Sequence, residues 1–336
     1  MAEPSKQLIK QAQRLLGDEG DRDAFIEALS NPQPFPPTIL WTQPKPPEFD
    51  WEVLPPLPWQ PNFVDRLAVE TQNIPVAVET QNFASLRRPG QHPLHEKGYF
   101  YCLDFSSVFA VSAIQAISQT VDVVIDLCAA PGGKSLFAWV ALRPTHLLCN
   151  EVIRKRVKIL ISNLKRCGAM EAIVLNLDPT ILAKQTPHCA QLVLVDAPCS
   201  GQSLLAKGQA VAGCFHKVTV NRNANRQKRI LANAAQLVQP EGYLLYSTCT
   251  YAPEENEQVG TWLLKKFPEF APVAVPTLQA YQSPLTELPC YRLWPQSGLG
   301  AGAFSMLLRR EGGAIARSLN QGFLEEHQFT LYRTRN

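Results

Sequence analysis

No apolar run in the chain approaches the roughly 18 residues that cross a bilayer, although 46% of its 336 residues are hydrophobic. A membrane-spanning class is therefore excluded, and a soluble globular chain with one large and one smaller domain is expected. The first residues, MAEPSKQLIKQAQRLLGDEG, lack an apolar stretch and carry Glu3, Asp18 and Glu19. That excludes a secretory signal and points to the cytoplasm. Paired cysteines are lacking as well: nine occur, an odd number, and none forms a CxxC pair. Neither a disulfide framework nor a zinc knuckle fits, so no metal is expected. In a reducing compartment most of these thiols read as small buried hydrophobes. Finally, acid is lacking from Ala197 to Pro240, where Lys207, Lys217, Arg222, Arg226, Lys228 and Arg229 all lie. A second basic cluster, Arg154, Lys155, Arg156, Lys158, Lys165 and Arg166, sits in a helical pattern. Segments of one sign suit a phosphate backbone, although solvated helix faces have the same composition. The net charge of +3 decides nothing by itself.

Two short helical patterns, LIKQAQRLL and RDAFIEALS, lead into eleven prolines between Pro32 and Pro61. Such density argues against long helices or central strands there and predicts extended chain wrapping a small N-terminal domain. Trp41, Trp51 and Trp59 in the same stretch argue that it is packed, against the alternative of a free proline-rich ligand. From about Asp104 the pattern alternates between helix and strand: VDVVID, HLLCN, AIVLNL, QLVLVD and GYLLYS are separated by helical periods. The alternation predicts a doubly wound parallel sheet. Glu311 to Asn336 reads as a polar surface tail.

In such sheets ligands bind beyond the carboxyl ends of the strands. The first strand ends in DLCAAPGGKS, where Ala129, Ala130, Gly132 and Gly133 allow close approach to backbone amides at a helix start. A dinucleotide fingerprint needs GxGxxG, which is missing. A Walker A loop needs glycine five residues before Gly133, where Cys128 stands, so a nucleotide-hydrolysing reading fails. What remains is a nucleoside-type cofactor without a pyrophosphate. Glu151 ends the next strand, placed to accept from ribose hydroxyls, and Asp178 and Asp196 repeat the pattern of an acid at a strand end. One such acid is commonly a helix cap; three beside a glycine turn favour an adenosyl pocket, most simply that of S-adenosylmethionine.

Two further strand ends, VDAPCSG and YSTCTYAPEENE, place Cys199 and Cys249 near Asp196. A thiol beside a methyl donor has a specific use. Carbon 5 of a pyrimidine is too weak a nucleophile to attack a sulfonium unaided, and a thiolate adding to carbon 6 turns the ring into an enamine that can. The thiol must be partly ionised, and a basic cleft helps. Asp196 could protonate or hydrogen-bond the ring during addition.

These motifs, with GYFYCLDFSS before them, resemble those of the nucleolar-protein/Sun family of RNA cytosine carbon-5 methyltransferases, in the same order from Gly98 to about Arg309. The resemblance implies a class I, Rossmann-like mixed sheet spanning 98–310, a small N-terminal α/β domain of RNA-binding type over 1–97, and a tail over 311–336. It implies S-adenosylmethionine as cofactor, held by Cys128, Ala129, Ala130, Pro131, Gly132, Gly133, Lys134, Glu151, Asp178 and Asp196. Cys249 would be the nucleophile, Cys199 would assist release of the methylated base, and Asp196 would contact the cytosine. Structured RNA, ribosomal ahead of transfer, would be the partner, met by Lys207, Lys217, Arg222 and Arg226; a monomer is expected. The chain departs from the family pattern at Leu103, usually glutamine, in TILWTQ, which lacks the usual arginine, and in GLGAGAFSMLLRR, which lacks the usual aromatic turn. A second class of function stays open: an RNA-binding assembly scaffold that keeps the fold, with catalysis incidental.

Overall fold

In the computed structural model, residues 4–68, 88–312 and 315–329 are described. Helices α1 (Lys6–Leu15) and α2 (Glu19–Ser30) start where Ser5 and Asp18 accept hydrogen bonds from Leu8 and Asp21 backbone amides. Such N-caps satisfy amides the helix itself leaves orphaned. The two helices do not form a separate body, because buried Phe25 meets Tyr251 edge-on at 5.0 Å and Trp294 at 5.9 Å.

A three-stranded antiparallel sheet follows, ordered β2 (Val64–Arg66), β1 (Thr38–Trp41), β3 (Phe100–Leu103). Short helix α3 (Pro93–Glu96) precedes β3. The middle strand of this sheet lies within the proline-dense segment, which corrects the expectation that no central strand forms there. The reason is local: Thr38 to Gln43 is a proline-free window between Pro37 and Pro44, so every amide needed for the ladder is present. Trp41 and Trp59 are buried and Trp51 half-buried, as packing of the segment requires. β3 lies past residue 97, so the small sheet takes its third strand from the larger segment.

The large sheet is built from α4 (Phe105–Ser112), β4 (Val123–Asp126), α5 (Gly133–Leu142), β5 (His146–Asn150), α6 (Arg154–Arg166), β6 (Ile173–Leu175), α7 (Pro179–Gln185), β7 (Ala190–Asp196), α8 (Lys217–Leu237), β8 (Val238–Thr248), α9 (Glu257–Lys266), β9 (Phe270–Pro272), β10 (Tyr291–Leu293) and β11 (Ala303–Arg310). Its order is β10-β11-β8-β7-β4-β5-β6, with β9 paired to β11. The strands from β6 to β8 run parallel, and β11 is antiparallel to both β8 and β10. The sheet is thus mixed, as the family resemblance implied, with the parallel core that the alternation of helix and strand implied. Helices cover both faces: Val124 joins one core with Phe137 and Leu147, while Ile125 joins the other with Val193 and Leu244. That double burial is why these strands read as continuous apolar runs. Strand order reverses between β4 and β7, which puts the ligand-binding crevice beyond Asp126 and Asp196.

The small sheet is locked onto the large one at the end of α6. Arg166 Nη1 donates to the carbonyls of His95 and Phe100 at 2.8 and 3.1 Å. Gly98, at φ +77, passes so close that a Cβ would lie 1.6 Å from the Arg166 carbonyl oxygen. Arg166, grouped by its sequence with a phosphate-seeking cluster, therefore works as a structural latch.

The C-terminal segment is more than a polar surface tail. Helix α10 (Gln321–His327) buries Leu324, and Phe329 donates its amide to the Val174 carbonyl at 2.8 Å. This bridge covers the free edge of β6, a position where unpaired strand groups invite association. No helix among the described residues is long and apolar enough to cross a membrane.

One buried ion pair stands at the opposite margin. Glu257 Oε1 and Oε2 accept from Arg292 Nε and Nη2, both at 2.6 Å, and Ser283 Oγ donates to Oε1 at 2.6 Å. Glu257→Ala would strand a buried guanidinium, so a stability loss of about 3–5 kcal/mol is expected. Guanidinium unfolding measures it, and a loss under about 1 kcal/mol would contradict the assignment.

Candidate active site

The glycine turn after β4 is shaped from below. Asp126 is buried and accepts from Ser135 Oγ at 2.6 Å and from the Cys128 amide at 3.1 Å, which ties the loop to the first turn of α5. Burial raises its pKa to about 6, against the opposing pull of those two hydrogen bonds. Gly132 takes φ +116, a left-handed conformation that disfavours a Cβ.

Beyond the turn lies a cavity of about 370 Å³ whose lining includes Cys128, Ala130, Glu151, Asp178, Asp196 and Cys249. Its size matches a small-molecule site. Glu151 is buried, and one of its oxygens accepts from the Ile153 amide at 2.8 Å. The other, Oε2, lies 3.0 Å from Arg156 Nη1 yet has no hydrogen-bond partner among the described residues. A buried carboxylate oxygen with unused acceptor capacity calls for a ligand hydroxyl. Asp178 is both a pocket residue and the N-cap of α7, accepting from the Thr180 amide at 2.8 Å. The Thr180 hydrogen bonds hold its pKa below the usual carboxylate value.

The remaining loop residues face a neighbouring cavity of about 240 Å³, lined by Ala129, Pro131, Gly133, Lys134, Asp196 and also Leu103. Gly132 lines neither; its contribution is to the turn. Between the two cavities Lys134 Nζ donates to Asp196 Oδ2 at 2.8 Å, and Ser247 Oγ donates to Oδ1 at 3.1 Å. Burial alone would lower the Lys134 pKa, but the Asp196 charge and hydrogen bond outweigh it and raise the value. The pair links the first loop to the strand end of β7, a link that the motifs did not reveal.

Cys199 and Cys249 meet here, their sulfurs 3.2 Å apart. The Cys249 pKa is lowered first by the hydrogen bond from Cys199, then by Lys134 and Ser203, against desolvation and the Asp196 charge. Cys199 is pushed the other way, by that same pairing and by burial. The other seven thiols are all raised, chiefly by burial. Cys249 is also the exposed one of the nine free cysteines. It alone combines access with a stabilised thiolate, the two requirements of a reactive thiol.

What holds these loops was not legible as function. Glu255 Oε2 accepts from the Ser200 amide and from Gln227 Nε2, both at 2.9 Å, while Gln227 also donates to the Pro198 carbonyl at 3.1 Å. Tyr246 donates to the Glu255 carbonyl. Asn256 accepts from Thr248 Oγ1 at 2.6 Å and donates to the Thr250 carbonyl at 2.9 Å, bracketing Cys249 on both sides. The polar corner YSTCTYAPEENE is therefore a buried scaffold carrying one accessible sulfur. The signal available in the sequence was the run of acids directly after the cysteine, which has no partner nearby in the chain.

The basic residues divide. Arg222, Arg226 and Arg229 form an exposed ridge on α8, and Arg226 and Arg229 reach the larger cavity. Lys217 is exposed at the start of α8, and Lys207 is paired with Asp104 at 2.8 Å beside the smaller cavity. In the second cluster, Arg156 is held by Glu151 and donates to the Ala130 carbonyl, so it stabilises the glycine turn.

A mixed Rossmann-like sheet with a nucleoside-sized crevice at its switch point defines a class I methyltransferase fold. It is shared by NSun6 from Pyrococcus horikoshii, solved with SFG, at TM-score 0.72 and 17% identity over 92% of this chain and 99% of that one. A methyltransferase homolog protein from the same organism matches at TM-score 0.65 and 20% identity, over 91% and 99%. Residues 115–309 match the model of 16S rRNA methyltransferase RsmB/F, and the chain belongs to that family. It is 36% identical over 174 residues to ribosomal RNA small subunit methyltransferase F of Vibrio parahaemolyticus, covering 52% of this chain and 36% of the relative. The namesake from Pectobacterium carotovorum is 30% identical over 224 residues, covering 66% and 43%. The chain thus spans less than half the length of these curated relatives.

Proposed function

We propose that the protein methylates carbon 5 of a cytosine in small-subunit ribosomal RNA, using S-adenosylmethionine and a transient bond between Cys249 and the base. The observation that carries this reading is the Cys199–Cys249 pair, 3.2 Å apart, beside a cavity of about 370 Å³ containing the unsatisfied oxygen of Glu151. An assembly scaffold has no use for a stabilised thiolate at the mouth of such a cavity. The protein would act in the cytoplasm as a monomer, the small N-terminal domain serving RNA binding.

The residues present fit the cofactor. Glu151 would accept from ribose hydroxyls, Asp178 would meet the adenine edge, and the 128–134 turn would receive the amino-acid end. When bound, S-adenosylmethionine supplies an electrophilic methyl group for carbon 5. The protein does the rest. The target base is unstacked to reach the crevice, as base-modifying enzymes require. The Cys249 sulfur bonds to carbon 6, and the ring electrons move toward N3, where Asp196 donates or shares a proton supplied through Lys134. The exposed ridge Arg222, Arg226 and Arg229, with Lys217 and Lys207, would hold the phosphates on either side.

Glu151→Ala should weaken S-adenosylmethionine binding by about tenfold or more, since hydrogen bonds to a charged group contribute roughly 1.5–3 kcal/mol. Isothermal titration measures this, and an unchanged Kd would remove Glu151 from the site. The pH dependence carries a sign as well. A lowered Cys249 pKa means the rate rises as the thiolate forms and levels off below the ordinary thiol range. Lys134→Met removes the nearby cation, so the rising limb should move to higher pH. A limb that stays in place would contradict the role of that charge. The defining experiment is transfer of label from S-adenosylmethionine into small-subunit rRNA, with the nucleoside identified by mass.

A further inference from the structure

The cavity around Lys134 and Asp196 does not end at the catalytic loops. Leu103, Asp104 and Lys207 are shared between it and another cavity of about 430 Å³, whose remaining wall is the segment Pro32 to Pro37 with Phe35 half-buried in it. Apart from Lys207, which was placed among the phosphate-holding residues, the methyl-transfer scheme uses none of this groove. It holds no thiol, and its surface is mostly prolyl, phenyl and Leu103 carbon, with Gln33, Asp104 and one cation, Lys207, as its polar groups.

Three features tie the groove to the chemistry. Lys207 ends the 3-10 helix Gln202–Lys207, which begins three residues after Cys199, so the groove wall is continuous with the loop that carries the release thiol. Lys207 is bound to Asp104 at 2.8 Å with a third of its side chain exposed, so its ammonium retains room for a phosphate oxygen. The opposite wall is rigid, because prolines fix their own φ and the Pro37 carbonyl accepts from the Leu67 amide at 2.8 Å. A preformed apolar wall costs little ordering entropy when a flat ring settles on it.

Resting on the RNA-methylation reading, we infer that this groove seats the nucleotide adjacent to the methylated cytosine. The neighbouring base lies against Phe35 and the proline rings, and Lys207 meets its phosphate. A base drawn out of its stack leaves its neighbour at the mouth of the crevice, and this is the apolar surface continuous with that mouth. A nucleotide fits better than a peptide from a partner protein, because the groove opens into the base site and its one cation lies within the acid-free segment from Ala197 to Pro240.

The test replaces Phe35 with p-benzoylphenylalanine in the full chain and irradiates it with an unmodified small-subunit rRNA transcript. Wild-type protein is first checked for methyl transfer to that transcript; if none occurs, the functional reading fails, and the groove is not what failed. Given transfer, the crosslink should map within one or two nucleotides of the methylated cytosine. Crosslinks scattered along the RNA, or none, would overturn the assignment and favour a peptide as occupant. In parallel, Phe35→Ala combined with Pro34→Ala should raise KM for RNA about tenfold, the scale of one lost base stack. Phe35 also packs against the core of α1 and α2, so kinetics are read well below the variant's Tm; there kcat and S-adenosylmethionine affinity should stay near wild type. An unchanged KM, or a rise accompanied by a fall in kcat, would count against the groove.

Discussion

Cys249→Ala should lower methyl transfer at least 100-fold while leaving S-adenosylmethionine affinity within about twofold. Losing a covalent nucleophile removes several kcal/mol of transition-state stabilisation, and each 1.36 kcal/mol is about tenfold in rate. The groups that would hold the cofactor, Glu151, Asp178 and the 128–134 turn, take their positions from Ile153, Thr180, Asp126 and Ser135, and none depends on the Cys249 sulfur. Radiolabel transfer and calorimetry measure the two effects separately. Residual activity above about 1% of wild type would sink the nucleophile assignment, because a pocket that only aligns reactants cannot make carbon 5 attack.

Cys199→Ala should show the opposite signature, an RNA–protein adduct that survives denaturation. Two thiolates 3.2 Å apart repel, so while Cys249 is anionic Cys199 stays protonated. Once the Cys249 sulfur is bonded to carbon 6 that repulsion is gone. Cys199 can then give its thiol proton to water and, as the thiolate, take the one on carbon 5. The carbon–hydrogen electrons restore the 5,6 double bond, the bond from carbon 6 to sulfur breaks, and Cys249 leaves with the electron pair. Without Cys199 the sequence stalls after methylation, with the base still attached. A denaturing gel with a shifted band containing both protein and RNA is the expected result. Free RNA alone would assign release to another group, such as Asp196 in the same cavity.

Much of the site was legible because its chemistry lies at strand ends. Asp126, Glu151 and Asp196 terminate apolar runs, and a parallel sheet carries such ends to one side whatever the loops do. The loops themselves were not legible. Glu255 reaches Ser200 across 55 residues and Gln227 across 28. No local period encodes a partner that distant. Likewise β1 hides in a proline-rich stretch because six proline-free residues suffice for a ladder, and proline density averages over them. The C-terminal segment read as surface because Leu324 is the one deeply buried apolar residue among those described there, and because edge covering uses backbone groups that every residue has. Arg156 and Arg166 shared a composition with RNA-facing arginines but spend their donors on the carbonyls of Ala130, His95 and Phe100.

Covalent cytosine methylation is tested most directly by incubating wild-type protein and Cys249→Ala side by side with labelled S-adenosylmethionine and unmodified small-subunit rRNA, then identifying the labelled nucleoside by mass. The expected result is 5-methylcytosine with wild type and none with the variant. Label in another nucleoside, or equal label with both proteins, would contradict it.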